Sequence, residues 1–269
     1  MKYGLKTSEG VAVFSPNQVA AMRLGIAGLL LTPISIPYLK NLTKENFKWL
    51  SVVGLVGSGI PAFLFTNSQK YLDSGHAGIL NSLTPLFTVL TGVWFFKKVT
   101  EPRKVVGVLI GLGGAAALIS LNGFEESTRW QYGLLIVLAT FSYGLSVNTV
   151  QSHLQGIKSL QITATSLLIA GVPCMIYALV SGAPDVLFSH PHGGKSFAAI
   201  LTLSIFGTAG ANMLYFWLTQ QTSAIVASSV TYLMPLVAVG WGVLDHEVLT
   251  IGHLICGIII LSAIRLITR

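Results

Sequence analysis

Apolar residues run in nine stretches, 16–39, 48–70, 75–97, 103–121, 130–150, 159–181, 196–219, 223–244 and 248–267. Each is near the roughly 20 residues that a helix needs to cross a bilayer. The gaps are short and carry Lys, Glu, Asn, Pro or Gly, as at Lys40–Lys48 and Lys97–Lys104. The longest, Ser181–Ser196, holds Pro184, Asp185, Pro191, Gly193 and Gly194 and reads as an irregular surface loop. A membrane barrel would alternate apolar and polar residues in segments of about ten, and no such segment occurs. The pattern predicts an all-α polytopic membrane protein. Met1–Ser15 has no short apolar core followed by a small-residue cleavage site, so no signal peptide is expected.

The pattern also repeats. With a shift of 150 residues, Gly57 meets Gly207, Leu64 meets Leu214, Ala77 meets Ala227 and Leu83 meets Leu233. Pro85 meets Pro235, Leu86 meets Leu236, Val89 meets Val239, Gly92 meets Gly242 and Val93 meets Val243. Thr100, Gly107 and Ile110 meet Thr250, Gly257 and Ile260, completing 12 ungapped identities over 57–110. The matched proline and two matched glycines favour duplication over chance similarity of apolar helices. A unit of five spans inserts its second copy upside down. Inverted repeats of that kind are a transporter architecture, with the substrate site between the copies. The two units are expected at 1–121 and 130–269. The same shift places the partner of 130–150 upstream of Met1, so a further helix is expected before the first residue, ten in all.

Charge orients the spans. One side collects Lys40, Lys44, Lys48, Lys97, Lys98, Arg103, Lys104, Lys158, Arg265 and Arg269, and the other only Lys2, Lys6, Lys70, Arg129 and Lys195. The richer side is expected in the cytoplasm, with the C-terminus.

Composition closes other classes. Only 9% of residues are charged, 52% are hydrophobic and mean hydropathy is +0.73, whereas a soluble domain carries roughly 25% charged residues. The net charge of +7 is spread over short gaps rather than gathered on one face, so no nucleic-acid partner is expected. Two cysteines give no disulfide framework.

Specific residues then point to a family. Phe14-Ser15-Pro16 leads to Met22-Arg23-Leu24 and Ala27-Gly28-Leu29-Leu30 in the first span. The run Ala77-Gly78-Ile79-Leu80-Asn81-Ser82-Leu83-Thr84-Pro85-Leu86-Phe87 has a second copy, Ala227-Ser228-Ser229-Val230-Thr231-Tyr232-Leu233-Met234-Pro235-Leu236-Val237. Asp245-His246-Glu247 forms an acidic turn whose counterpart in the first copy holds Lys97. Over essentially its whole length the chain resembles the EamA-type branch of the drug/metabolite transporter superfamily. The resemblance implies ten helices in two inverted five-helix units, and a role in moving amino acids, metabolites, nucleotide sugars or other small molecules. It also implies that the helix absent before Met1 would line the central cavity.

Candidate site residues are the polar groups inside spans, where an unpaired group is costly. Pro85 and Pro235 each remove a helix N–H and displace the carbonyl four residues back, those of Asn81 and Thr231. Ser82 and Tyr232 stand beside those breaks. Asn81, Thr84, Thr88 and Thr91 share one helix face, as do Thr208, Asn212, Tyr215 and Thr219, and approximately Thr140, Tyr143 and Asn148. Asn67 lies near the end of its span. Two readings fit these stripes, a shared wet cavity or hydrogen bonding between helices. Trp94, Trp217 and Trp241 fit ligand stacking or interfacial anchoring. Arg23, about 10 Å into its span by helix rise, fits either an anion-binding role or a structural lock on backbone carbonyls, and the family resemblance favours the lock. The carboxylates lie in gaps or at span ends, so no central proton relay is expected. His190 and His192 alone make a weak metal pair, and no metal or cofactor is expected.

The expected function is a secondary transporter of small metabolites, amino-acid-like or other small organic solutes, working by alternating access as an exporter in a bacterial inner membrane. Its expected partners are a small-molecule substrate and the lipid bilayer, with the protein a monomer or homodimer. A non-transporting scaffold or accessory subunit is the alternative. An enzyme would need paired aspartates, His-Glu-x-x-His or a Gly-x-Ser-x-Gly turn, and a nucleotide-driven pump a phosphate-binding loop; none is present.

Overall fold

The computed structural model describes residues 13–40, 42–72, 74–121, 132–234, 236–237 and 251–268. Among these the chain is helical throughout, with no strand. The helices are α1 (Pro16–Leu30), α2 (Thr32–Leu39), α3 (Lys44–Ser51), α4 (Ile60–Ser68), α5 (Ser74–Asn81), α6 (Thr84–Phe96) and α7 (Pro102–Ser120). The second half supplies α8 (Gly133–His153), α9 (Ser159–Val180), α10 (Ala183–Ser189), α11 (Gly193–Thr202), α12 (Ala211–Gln221), α13 (Ala224–Ser228) and α14 (Ile251–Thr268). Two stretches of wide π turns, Val52–Gly59 and Leu203–Gly210, join α3 to α4 and α11 to α12. Five of the resulting helices are long and apolar enough to cross a membrane, and a bent pair makes a sixth. The protein is a multi-pass α-helical membrane protein.

Local chemistry sets the starts and breaks. Ser15 caps α1, accepting from the Gln18 N–H while the Gln18 side chain accepts from Ser15 N–H, and Pro16 fills the first helical position. The stretch 16–39, expected as one span, is two helices bent by 65°. Pro33, at the start of α2, cannot supply the N–H that would continue α1. The stretch 75–97 breaks at Ser82–Leu83, ahead of Pro85 as expected. Its partner breaks into α13 and the 3₁₀ turn Ser229–Tyr232, with Pro235 itself outside the described residues. The expected irregular loop Ser181–Ser196 is instead mostly helical. Gly182 takes φ 78°, a left-handed conformation suited to glycine, and Pro184 and Asp185 then occupy the first turn of α10, where both favour a helix.

Helix packing follows the repeat. The most extensive pairs are α1 with α9 and α7 with α14, each joining a helix to its counterpart about 150 residues away. The two π stretches are likewise one repeat length apart. Such self-pairing is what a twofold axis between two halves generates. Glycines permit the closest crossing: a Cβ on Gly28 would lie 2.5 Å from the Leu167 carbonyl oxygen, and one on Gly171 2.7 Å from that of Leu24.

The basic residues of one predicted side also gather at one end. There the N-terminus of α3 meets the C-terminal ends of α6, α8 and α12. Trp49 stacks on His153 at 3.8 Å, Phe96 packs against the same imidazole, and Gln220 donates to the Leu154 and Ile157 carbonyls. At the other end Gln18 donates to the Ser181 carbonyl, Ser68 donates to the Tyr132 carbonyl, and Tyr71 stacks on Tyr132.

Candidate functional site

Three large polar side chains lie within electrostatic reach, pair by pair, where the two units face each other. Arg23 comes from α1, Tyr143 from α8 and Tyr215 from α12. Arg23 and Tyr143 interact electrostatically, as do Tyr143 and Tyr215. Each is surrounded by protein, yet each keeps some accessible surface. Phe65 of α4 flanks Tyr143, with ring centroids 5.9 Å apart. Arg23 Nε is buried without a hydrogen-bond partner. The ion pairs among the described residues join Glu101 to Arg103 and Lys104, and none reaches Arg23.

The other polar residues divide by position. Asn67 donates to Asn17 Oδ1 at 2.6 Å and to the Phe63 carbonyl, tying α4 to α1. Asn212 approaches Ser58 Oγ at 3.5 Å, so the two π stretches touch across the halves. Asn81, beside the first break, places Nδ2 3.2 Å from Met234 Sδ, beside the second. The two broken helices therefore meet. The Asn81 carbonyl freed by Pro85 accepts from Thr84 Oγ1 at 2.7 Å, and Thr231 Oγ1 donates to the Ser228 carbonyl.

The Thr84–Thr88–Thr91 stripe turns inward but is spent locally. All three residues are buried; Thr88 and Thr91 donate to the Thr84 and Phe87 carbonyls of α6, and Thr84 donates to the Asn81 carbonyl at the end of α5. Tyr232 lies in packed core. It is wholly buried, lies over Gly111 and donates to the Val108 carbonyl at 2.8 Å. Trp94 and Trp217 face outward from the bundle, and Trp241 lies outside the described residues. His190 Nδ1 accepts from the His192 backbone N–H.

A second site, of which the sequence singles out Thr88 and Asn148 but not Lys98 or Gln151, occupies the basic end. Lys97 ends α6 in the left-handed region, φ 52°, and the Lys98 N–H reaches back to the Gly92 carbonyl. This turn carries the Lys98 side chain under the bundle. Its Nζ donates to Asn148 Oδ1 at 3.0 Å and Gln151 Oε1 at 2.7 Å. Gln151 Oε1 also accepts from the Ala224 N–H, at the start of α13. Asn148, buried in α8, donates to the Thr88 carbonyl, Thr91 Oγ1 and the Gly144 carbonyl at 2.7–3.0 Å. A cavity of about 440 Å³ opens beside this network, lined among others by Thr88, Lys98, Thr100, Lys104, Asn148 and Ser223. The Lys97–Lys98 doublet reads in sequence as an orientation signal; only the left-handed Lys97 converts its second member into a latch between α6, α8 and α13.

Lys98 lies beyond the end of α6, and burial pulls its ammonium down to about 8 from the ordinary 10.5. An unfolded lysine therefore binds more protons than the folded one between those values, and folding stability contributed here rises with pH across that window. Thermal unfolding of the wild type against Lys98→Met is expected to show the wild type gaining relative stability from pH 8 to 10.5. A difference that stays flat, or that falls, would count against a desolvated Lys98.

Comparison with known proteins agrees with this architecture. A solved crystal structure superposes with a TM-score of 0.66, covering 94% of this chain and 88% of its own at 19% identity, which supports the fold. The uncharacterized inner membrane transporter YedA of Escherichia coli strain K12 is 27% identical over 95% of this chain and 82% of its own. The uncharacterized transporter YvbV of Bacillus subtilis strain 168 is 27% identical over 97% of this chain and 85% of its own. An uncharacterized transporter of Archaeoglobus fulgidus is 23% identical over 96% and 91%. The profile of the EamA-like transporter family matches twice, at residues 3–120 and 131–269. The chain, a multi-pass membrane protein built on that repeat, belongs to the EamA-like transporter family.

Proposed function

We propose that the protein moves small metabolites, amino-acid-like or other small organic solutes, by alternating access between two inverted units, 1–121 and 130–269. The carrying observation is the seam between the units, where Phe65 of one packs against Tyr143 of the other with ring centroids 5.9 Å apart and Arg23 lies within electrostatic reach of Tyr143; a hollow at this seam is the proposed solute site. A solute held there touches both halves, so its binding depends on how they are set. The broken helices meeting at Asn81 and Met234, and the π stretches meeting at Ser58 and Asn212, supply deformable backbone beside it. The basic end, latched by Lys98, is assigned to the cytoplasm by its lysines and arginines. Export is the direction we assign.

Proteoliposomes with known protein orientation test this. Counterflow against a mixture of labelled metabolites is expected to enrich one chemical class, faster in the outward sense. Folded protein that gives no flux above empty liposomes for any class would refute the reading.

A further inference from the structure

We propose that Gln151 is the clasp of an inner gate: it joins the two broken helices at the basic end, and its release opens the cavity there toward the seam between the units. This rests on the transport reading above and deepens it.

One side-chain oxygen makes the joint. Gln151 Oε1 accepts from Lys98 Nζ at 2.7 Å, just past the end of α6, and from the Ala224 N–H at 3.1 Å, the first residue of α13. Helix α6 follows the first break and α13 precedes the second. Gln151 itself lies in the last turn of α8. Lys98, Gln151 and Ala224 all line the cavity of about 440 Å³, together with Thr88 and Gly92 of α6 and Asn148 of α8. Its walls therefore come from both units. Thr88 stands eight residues before Phe96, the end of α6, so the cavity reaches about 12 Å into the bundle by helix rise.

Three features make this joint releasable. It borders a cavity, where water can take over its hydrogen bonds as they break, so opening is cheap. Thr222 and Ser223 leave the helical conformation between α12 and α13, which gives α13 a pivot beside the joint. Asn148 also holds Lys98, but its other bonds stay within α6 and α8. Among the described residues Gln151 alone ties Lys98 to α13, so one side chain can let α13 go while α6 and α8 stay paired. The repeat does not reproduce the clasp at the opposite end. The 150-residue shift puts Val248 at the place of Lys98, and a valine side chain has no proton to donate. The clasp therefore weights the balance of states toward the one closed at the basic end.

Thiol accessibility of the full chain in lipid nanodiscs tests this without requiring transport. With Cys174 and Cys256 replaced by serine, Ala227→Cys puts a reporter one turn along α13, where the native side chain is buried against Val147 of α8. Gln151→Leu removes the acceptor and is expected to speed labelling of that thiol by a charged reagent at least about tenfold, the population shift that one charge-assisted hydrogen bond carries. Gln151→Glu keeps the acceptor, adds a charge facing Lys98 and is expected to label more slowly than Gln151. Val99→Cys, fully exposed at the cavity mouth, should label at one rate throughout, and Ala20→Cys, buried in α1, should stay unreactive. An unchanged rate with Gln151→Leu, or labelling with Gln151→Glu as fast as with Gln151, would overturn the proposal. A parallel rise at position 20 marks loss of the fold, and Gln151→Glu then decides alone. Solute flux with unchanged labelling would leave the transport reading intact and end this one; the expected labelling without flux of any class would do the reverse.

Discussion

Asn148→Leu is expected to destabilise the bundle by about 3 kcal/mol. Leucine keeps the branching and the number of heavy atoms of asparagine, so the substitution leaves no cavity. What is lost is the amide, which is buried and donates to two acceptors on α6 and one on α8 while accepting from Lys98. Interhelical hydrogen bonds within membrane proteins average about 0.6 kcal/mol, so the two donations to α6 account for about 1 kcal/mol. The remainder comes from Lys98, whose desolvated ammonium would keep Gln151 alone as a hydrogen-bonding side chain among the described residues. The double variant Lys98→Met/Asn148→Leu should recover about 1 kcal/mol, because no cation is then stranded. Unfolding in a graded detergent series measures both. A loss below about 1 kcal/mol for the single variant, or no recovery in the double, would mean that the inner end is not held by this network.

Gly171→Val is expected to cost at least about 3 kcal/mol, at the upper end of overpacking effects. The new Cβ alone would sit 2.7 Å from the Leu24 carbonyl oxygen and 3.3 Å from Gly28 Cα. These are backbone atoms, so no side-chain rotation relieves the clash. The α1–α9 pair is the most extensive in the bundle, and it must separate to accept the change. Gly113→Val is the control, since nothing lies within 4 Å of a Cβ built there. The expected result is loss of monodisperse protein for the first variant and wild-type behaviour for the second. Equal tolerance of both would show that the crossing at Gly28 and Gly171 is looser than described.

The spans, the repeat and the gathering of basic residues at one end were legible in the sequence because each rests on a strong local signal. Apolar length marks spans, Pro85 marks a break, and lysine placement marks a side. The 65° bend at Pro33 was hidden because the residues around it stay apolar, and hydropathy does not register a missing N–H. The helix over Ala183–Ser189 was hidden because Gly182 and Pro184 signal a turn as readily as a helix start. The π stretches leave only a trace, in the matched Gly57 and Gly207.

The site was legible in part, for a related reason. Polarity within a span identifies residues that need a partner, and Arg23 and Tyr143 do lie within electrostatic reach of each other. It does not say which partner each takes. Thr88 and Thr91 donate within α6 and Thr84 donates back to Asn81 of α5, while Tyr232 reaches a carbonyl on α7. Lys98 was legible only as a charge, since its inward course depends on the backbone conformation of Lys97.

Water access to the seam between the halves tests the central claim most directly. With Cys174 and Cys256 replaced by serine, single cysteines at Tyr143, Asn212 and Tyr215 should react with a charged, membrane-impermeant thiol reagent in intact proteoliposomes. A cysteine at Leu214, exposed on the outside of α12, should stay unreactive because lipid covers it. Reaction at 214 with protection at 143, 212 and 215 would place water outside the bundle and a dry core where the hollow is proposed.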